Sequence, residues 1–540
     1  MRKITDYIGR LTNRIIPDTP AQVPQPHSTI SLPLPIRSGP PILTEPRSEV
    51  PLVNHARRWT GKMKSTKRCA SFAQLSRNDC LLTRCDVGLV DDMLPDDVLL
   101  AVFDFCPDFW QVLIHVCHRW RSLVFGSPRR LNLQLVCTSR THARDMLDVW
   151  PALPLIVQGH DGSPIKMVDN IVAALERSIR VCQIDLRDIS SSNLEDISAA
   201  MQQPFPELVH IQFWLDEKGI EMAPVLPDSF LGGSAPFLRE LNFCGIPFPG
   251  LPILLLSAAH LVHLTLYDIP HFGYFSPDAM VTALSTLTNL KTFRLQFQSP
   301  RSCPDWASRR PPPPTRLVLP VLTHFWFKGV GEYLEDLVAR IDAPRLGNLE
   351  ITFFNQIIFD TPQFVQFISH LPALRTFEKA SISFEGRAAS IELSSRTSYR
   401  GLNVRIPCKE LDWQVSSLEQ VCTSCLPPLS MLEDLYISEQ RRWQRHWQDN
   451  IENTLWLELL RPFTAVKNLY LSEDFARRIV PAMRELVGGG TTEVLPTLQN
   501  TFLEGLRSSV PVQQGIGQFV ATRQAISRPI AVIQWNRRSH

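Results

Sequence analysis

The sequence has 540 residues, 44% of them hydrophobic and 20% charged, with 44 Pro and 24 Gly. That balance excludes a wholly disordered chain and a collagen-like one, and the most apolar run, 250–262, is too short to span a bilayer and carries His260. The net charge of +2 is split unevenly: residues 1–90 hold fourteen Lys/Arg against six Asp/Glu, and the remainder hold 41 against 47, so the body offers no general nucleic-acid surface.

In chain order, Met1 to Ile16 would place Ile4, Ile8, Leu11 and Ile15 on one helical face beside four basic residues. With Asp6 and little Ser it reads as accidental periodicity, not as a targeting helix. Residues 17–51 contain ten Pro and no apolar periodicity, too little to offset the entropy of ordering. His55 to Arg68 carries six Lys/Arg and no acid, a solvated linker or a nuclear signal. Residues 1–88 are therefore expected to be a disordered, basic, Pro-rich leader. No secretory pattern opens the sequence. Its twelve scattered Cys suit a reducing compartment, hence cytoplasm, nucleus or both, with no membrane association.

A compact helical module is expected over 89–130. Pro95 suits a first helical position, and Asp96 and Asp97 lie well against the helix dipole. Val98, Leu99, Val102 and Phe103 recur at helical spacing, and Pro107 ends that helix. A second apolar helix is expected from Trp110 through Leu113, Ile114, Val116, Cys117 and Trp120 to Val124, broken at Gly126-Ser127-Pro128. So few residues bury little surface alone, and such a unit normally needs a partner.

The stretch Leu94-Pro95-Asp96-Asp97-Val98-Leu99-Leu100-Ala101-Val102-Phe103, with Val116-Cys117-His118-Arg119-Trp120-Arg121-Ser122-Leu123, resembles an F-box of fungal type. Leu94 to Trp120 spans 26 positions, about one short of the family's usual spacing, and Phe105 to Gln111 replaces its common loop and leucine. The resemblance covers about 40 residues. It implies docking on a Skp-type adaptor and, through it, on a cullin–RING ubiquitin ligase. The adaptor contacts it implies are Leu94, Pro95, Leu99, Val102, Leu113, Val116, Cys117 and Trp120, shared with the module's own core.

After a linker or N-terminal cap at 131–178, the pattern apolar-x-x-apolar-x-apolar recurs. It starts at Ile179, Leu208, Leu238, Leu261, Leu290, Leu322, Leu346, Leu374, Leu432, Val466 and Leu498. Two copies are imperfect: Lys379 stands third after Leu374, and Thr501 second after Leu498. The 58-residue gap before Leu432 reads as two units, one lacking its signature, for a mean period of 29. That period is at the upper end of the leucine-rich-repeat range. Pro206, Pro236, Pro320, Pro344, Pro372 and Pro496 each stand two residues before the first apolar position, delivering an extended chain into a strand. Helices are expected at Asp278 to Leu287, Glu332 to Ile341, Thr361 to Leu371, Asn453 to Leu460 and Glu473 to Leu486. One strand and one helix per unit predict an irregular LRR-like α/β solenoid over 179–505, interrupted by an extended Pro-rich loop at Arg301 to Pro314. A terminal cap or tail follows over 506–540.

Chemistry is sparse. Cys422-Thr423-Ser424-Cys425 has no second ligand pair for zinc and reads as two thiols on one helix. No metalloprotease, phosphate-loop, dinucleotide or nucleophile-elbow motif occurs. No catalytic residue, cofactor or metal site is expected. The expected function is a non-catalytic substrate receptor of an SCF-type ligase, the repeats holding a protein substrate. The alternative is a protein-binding scaffold unlinked to ubiquitination, its helical module capping the array.

Overall fold

The computed structural model describes residues 95–104, 116–126, 133–150, 152–160, 165–216, 223–300, 315–354, 359–375, 377–396, 400–439, 451–485, 494–504 and 510–535. The expected leader at 1–88 and the Pro-rich loop at 301–314 lie outside them, as do Leu94 and Leu113.

The apolar alternation builds one long, mostly parallel sheet. β1 (Leu133–Cys137), β2 (Leu155–His160), β3 (Val181–Ile189), β4 (His210–Leu215), β5 (Glu240–Cys244), β6 (His263–Ile269) and β7 (Thr292–Phe297) lie side by side in chain order, all parallel. β8 (Leu317–Val318) and β10 (Ile341–Asp342) form a two-stranded sheet of their own, while β9 (His324–Gly329) and β11 (Asn348–Phe353) extend the main one. Helices return the chain between strands at Pro277–Leu284, Gly331–Val338, Pro362–His370, Asn453–Leu460 and Glu473–Glu485, each within a few residues of its expected span.

Burial explains the repeat. Leu264 and Leu266, Phe293 and Leu295, and Phe325 and Phe327 are at most 2% exposed on the helix-covered face. The side chains between them reach the opposite face, because strand residues alternate. In the units from Leu208 to Leu432, and again at Leu498, the first apolar residue closes a turn. The Leu208 N–H donates to the Phe205 carbonyl (3.2 Å), and Leu238 to Ala235 (3.2 Å), Leu346 to Ala343 (2.9 Å) and Leu498 to Leu495 (3.2 Å) repeat it. Each conserved-spacing Pro is therefore the second residue of a four-residue turn, where its fixed φ fits.

Three expectations need correction. Ile179 is 72% exposed in the short 3-10 turn Ser178–Arg180, and Val181, Ile184 and Leu186 fill the inward positions instead. Residues 131–178, expected as linker or cap, supply β1 and β2, continuous with the rest of the sheet. The unit without a signature is present but displaced. β12 (Lys379–Glu385) and β13 (Ala388–Ser394) form an antiparallel hairpin, β14 (Gly401–Pro407) pairs antiparallel with β13, and β14 lies against β11. The strand order is thus β11-β14-β13-β12, and β15 (Asp434–Glu439) follows β12. Lys379 falls outside the core because Ala380, Ile382 and Phe384 point inward. The terminal cap expected over 506–540 consists of a helix, Val510–Ala525, and a last strand. β16 (Asn468–Leu471), β17 (Asn500–Glu504) and β18 (Ala531–Trp535) complete the sheet in order.

Candidate functional site

Two regions carry exposed recognition chemistry. The first is the helical module. Its described helices, Asp96–Asp104 and His118–Gly126, enclose a small core of Leu99, Leu100, Phe103 and Val124, with Trp120 and Leu123 packed against it. Phe103 and Trp120 meet at 4.9 Å between ring centroids. Arg119 bonds Asp96 across the two helices (2.6 Å), an exposed pair worth about 0–1 kcal/mol.

Among the expected adaptor contacts, the structure separates two groups. Leu99 is 2% exposed and Trp120 half-buried, so both serve the module's own core. Pro95 and Val116 are exposed, Val116 at 45%. The second helix does not carry Val116 and Cys117 as expected: Val116 lies in a turn, and the described helix starts at His118. Cys117 caps it instead. Its sulfur accepts from the Trp120 N–H (3.4 Å) and its carbonyl from Arg121 N–H (3.1 Å), satisfying donors that a helix start leaves open. Pro95 similarly lends its carbonyl to Leu99 N–H (3.1 Å). Nothing is described of the Val102 side chain.

The second region is the face of the sheet away from the helices, uncovered among the described residues, whose in-register strands align like positions into rows. Near β1 to β5 the rows are amides and ion pairs: Gln134 donates to Gln158 (2.6 Å), Asn242 to Gln212 (3.2 Å), and His210 meets Glu240 (2.9 Å). Toward the other end an aromatic row forms. Tyr436 and Tyr470 stack at 4.1 Å and Tyr470 and Phe502 at 4.3 Å, close to the spacing of neighbouring strands. Trp535 stands edge-on to Tyr470 (5.3 Å), and the Lys379 ammonium lies 4.2 Å above Tyr436. Burial, then the hydrogen bond with Tyr470, pushes the Tyr436 hydroxyl well above the ordinary tyrosine range. Beside it, Asn500 donates to Asn468 (2.8 Å), Asn468 to Asp434 (2.7 Å), and Arg396 to the other Asp434 oxygen (2.6 Å).

At the middle of the sheet stands Arg294. Its guanidinium lies between two rings, 4.5 Å from Trp326 and 5.3 Å from Tyr267. Trp326 is fixed in turn by an Nε1–H bond to Glu350 (2.9 Å) and by stacking on His324 (5.4 Å). The Arg294 Nε is buried without an acceptor, a deficit typically worth about 1–3 kcal/mol. Sequence reasoning missed Arg294, Trp326, Tyr436 and Tyr470. Each occupies the x between the last two apolar residues of its unit, which is the position that faces away from the helices.

The CxxC thiols are both free and buried. Cys422 and Cys425 sit in a π-helical turn, Val421–Cys425, where Thr361 Oγ1 donates to Cys425 (3.1 Å). Burial pushes Cys425 up to about 11 and Cys422 higher still, so neither offers a thiolate at neutral pH. Among the described residues, no three His, Cys, Asp or Glu are grouped to hold a metal, and no helix is long and apolar enough to cross a membrane.

No protein-family model matches the sequence, and a search of curated proteins finds no match. Among solved structures, the leucine-rich repeat-containing protein LegL7 from Legionella pneumophila is similar over 72% of this chain and 97% of its own, at 11% identity and a TM-score of 0.25. At that score the likeness carries no argument. The α/β repeat class rests on this chain's own strands and helices.

Proposed function

We propose that the chain is a protein-binding scaffold whose uncovered sheet face holds a protein client, and whose helical module docks on a Skp-type adaptor. It would thereby act as the substrate receptor of a cullin–RING ubiquitin ligase. The chain supplies no bond-making step in this reading. It raises the effective concentration of the client's lysines at the ligase. The observation that carries the reading is the division of labour in the helices. Among the described residues, their core of Leu99, Leu100, Phe103 and Val124 is separate from the core of the sheet, while Pro95, Val98 and Val116 remain exposed. A helical cap would share the sheet's core. A docking module keeps its own core and presents apolar side chains outward.

The test is a pull-down of the full chain with a purified Skp-type adaptor, using Val116→Asp beside wild type. A charge at an exposed apolar position leaves the core intact but blocks an apolar contact, whose burial is worth about 1.5–3 kcal/mol for a valine-sized side chain. Wild-type binding that Val116→Asp loses, with unchanged circular dichroism, supports the adaptor link. A folded wild type that does not bind removes that link and leaves the scaffold alone.

A further inference from the structure

We infer that Arg294, held between Tyr267 and Trp326, is the anchor for a carboxylate of the client, an Asp or Glu side chain in an extended peptide segment lying across the sheet. The inference rests on the scaffold reading above and assigns the chemistry that the sheet face selects.

Three observations carry it. The first is pairing. Among the described strands, two other arginines share this face, and both have spent their forks: Arg187 bonds both oxygens of Asp185 (3.0 Å each), and Arg405 bonds both oxygens of Glu385 (2.9 and 2.6 Å). Arg294 has no hydrogen-bond or ion-pair partner among the described residues. A guanidinium is a permanent cation, and a half-buried one without a counter-charge is an uncommon arrangement in a resting protein. Arg187 also lies over a ring, that of Trp214 (5.8 Å), so stacking does not itself prevent pairing.

The second is geometry. The guanidinium carbon lies 4.5 Å from the Trp326 ring and 5.3 Å from the Tyr267 ring, on the two neighbouring strands. Nε is buried without a partner, whereas neither Nη is. An incoming carboxylate therefore meets the end of the fork, where two parallel N–H donors match its two oxygens. The stack removes most of the rotamer freedom that binding would otherwise cost.

The third is charge. The neighbouring cation on the same face, Lys328, is already neutralised by Asp268 (2.7 Å). A single unspent positive charge matches a carboxylate better than a phosphate dianion, which calls for more than one cation.

The test selects a random dodecapeptide display library on the immobilised full chain. The winning peptides are then measured as synthetic, labelled peptides against wild type, R294K and R294Q. The expected winners carry an Asp or Glu at one fixed position. Changing that acid to its amide weakens binding to wild type roughly tenfold or more, and R294Q erases the difference, with R294K between. Winners that need no acid, or that bind R294Q as well as wild type, overturn the Arg294 anchor and leave the scaffold standing. Phosphoserine in place of the acid binding more than about tenfold tighter overturns the carboxylate assignment. A library that enriches nothing on wild type removes the scaffold reading, and the anchor with it. Should R294Q fail to fold, the acid-to-amide comparison on wild type decides alone.

Discussion

Gly232 shows how narrowly single residues are constrained in these turns. It sits at φ 68°, and a Cβ there would meet the Pro204 nitrogen at 2.8 Å. Gly232→Ala should therefore cost about 1–3 kcal/mol, read as a lower midpoint in urea. An unchanged midpoint would mean that the turn relaxes. Glu335 works between units: its carboxylate accepts from Gln363 N–H (2.9 Å) and Phe364 N–H (2.8 Å), capping the next helix in place of Thr361, whose hydroxyl donates to Cys425 (3.1 Å) instead. The buried thiols make a pH prediction. Burial raises Cys137 to about 12 and Cys182 and Cys425 to about 11, above the ordinary thiol value. A group raised on folding contributes stability that is complete below its unfolded pKa and lost as pH rises through the folded one. The urea midpoint should fall between pH 8 and pH 10.5, and less so in Cys182→Ala/Cys425→Ala than in wild type. Parallel curves would contradict the assignment.

Between elements, cross-strand rows do the stitching. Asn468 links β15, β16 and β17 by donating to Asp434 and accepting from Asn500. Asn468→Ala should cost about 1–3 kcal/mol. Asn468→Asp should cost more at pH 8, because it sets a carboxylate beside Asp434. Urea denaturation at pH 8 checks this, and equal costs would contradict it. Much of this architecture was legible beforehand. The apolar spacing located the inward pairs from Leu208 to Ile351 because each repeat packs leucine or phenylalanine against its helix. Legibility failed where inward residues lack that spacing. Leu133, Leu135 and Cys137 of β1 alternate without a preceding apolar turn residue, so the first strands read as a linker. β12 to β14 carry simple alternation, and their order in the sheet is set by a hairpin at Gly386-Arg387 that no periodicity records. The candidate site was less legible still, because its residues are the variable positions between the leucines, and only the order of β6, β7 and β9 in the sheet brings Tyr267, Arg294 and Trp326 together.

At the scale of the whole molecule, the account joins two surfaces of different character. The sheet's core is continuous from Leu133 to Ile530, with each unit stabilised by its neighbours, as expected for a repeat array. Helices cover one face, and the other is left to charged, amide and aromatic side chains. Among the described residues, the helical module has a core of four buried residues and presents Val98 and Val116 outward. Module and sheet should therefore respond separately to a partner. Hydrogen exchange of the full chain, with and without a purified Skp-type adaptor, tests that claim most directly. The account predicts slowed exchange confined to residues 95–126, with the strands from β1 to β18 unchanged. Protection spread along the strands, or none anywhere at saturating adaptor, would contradict it.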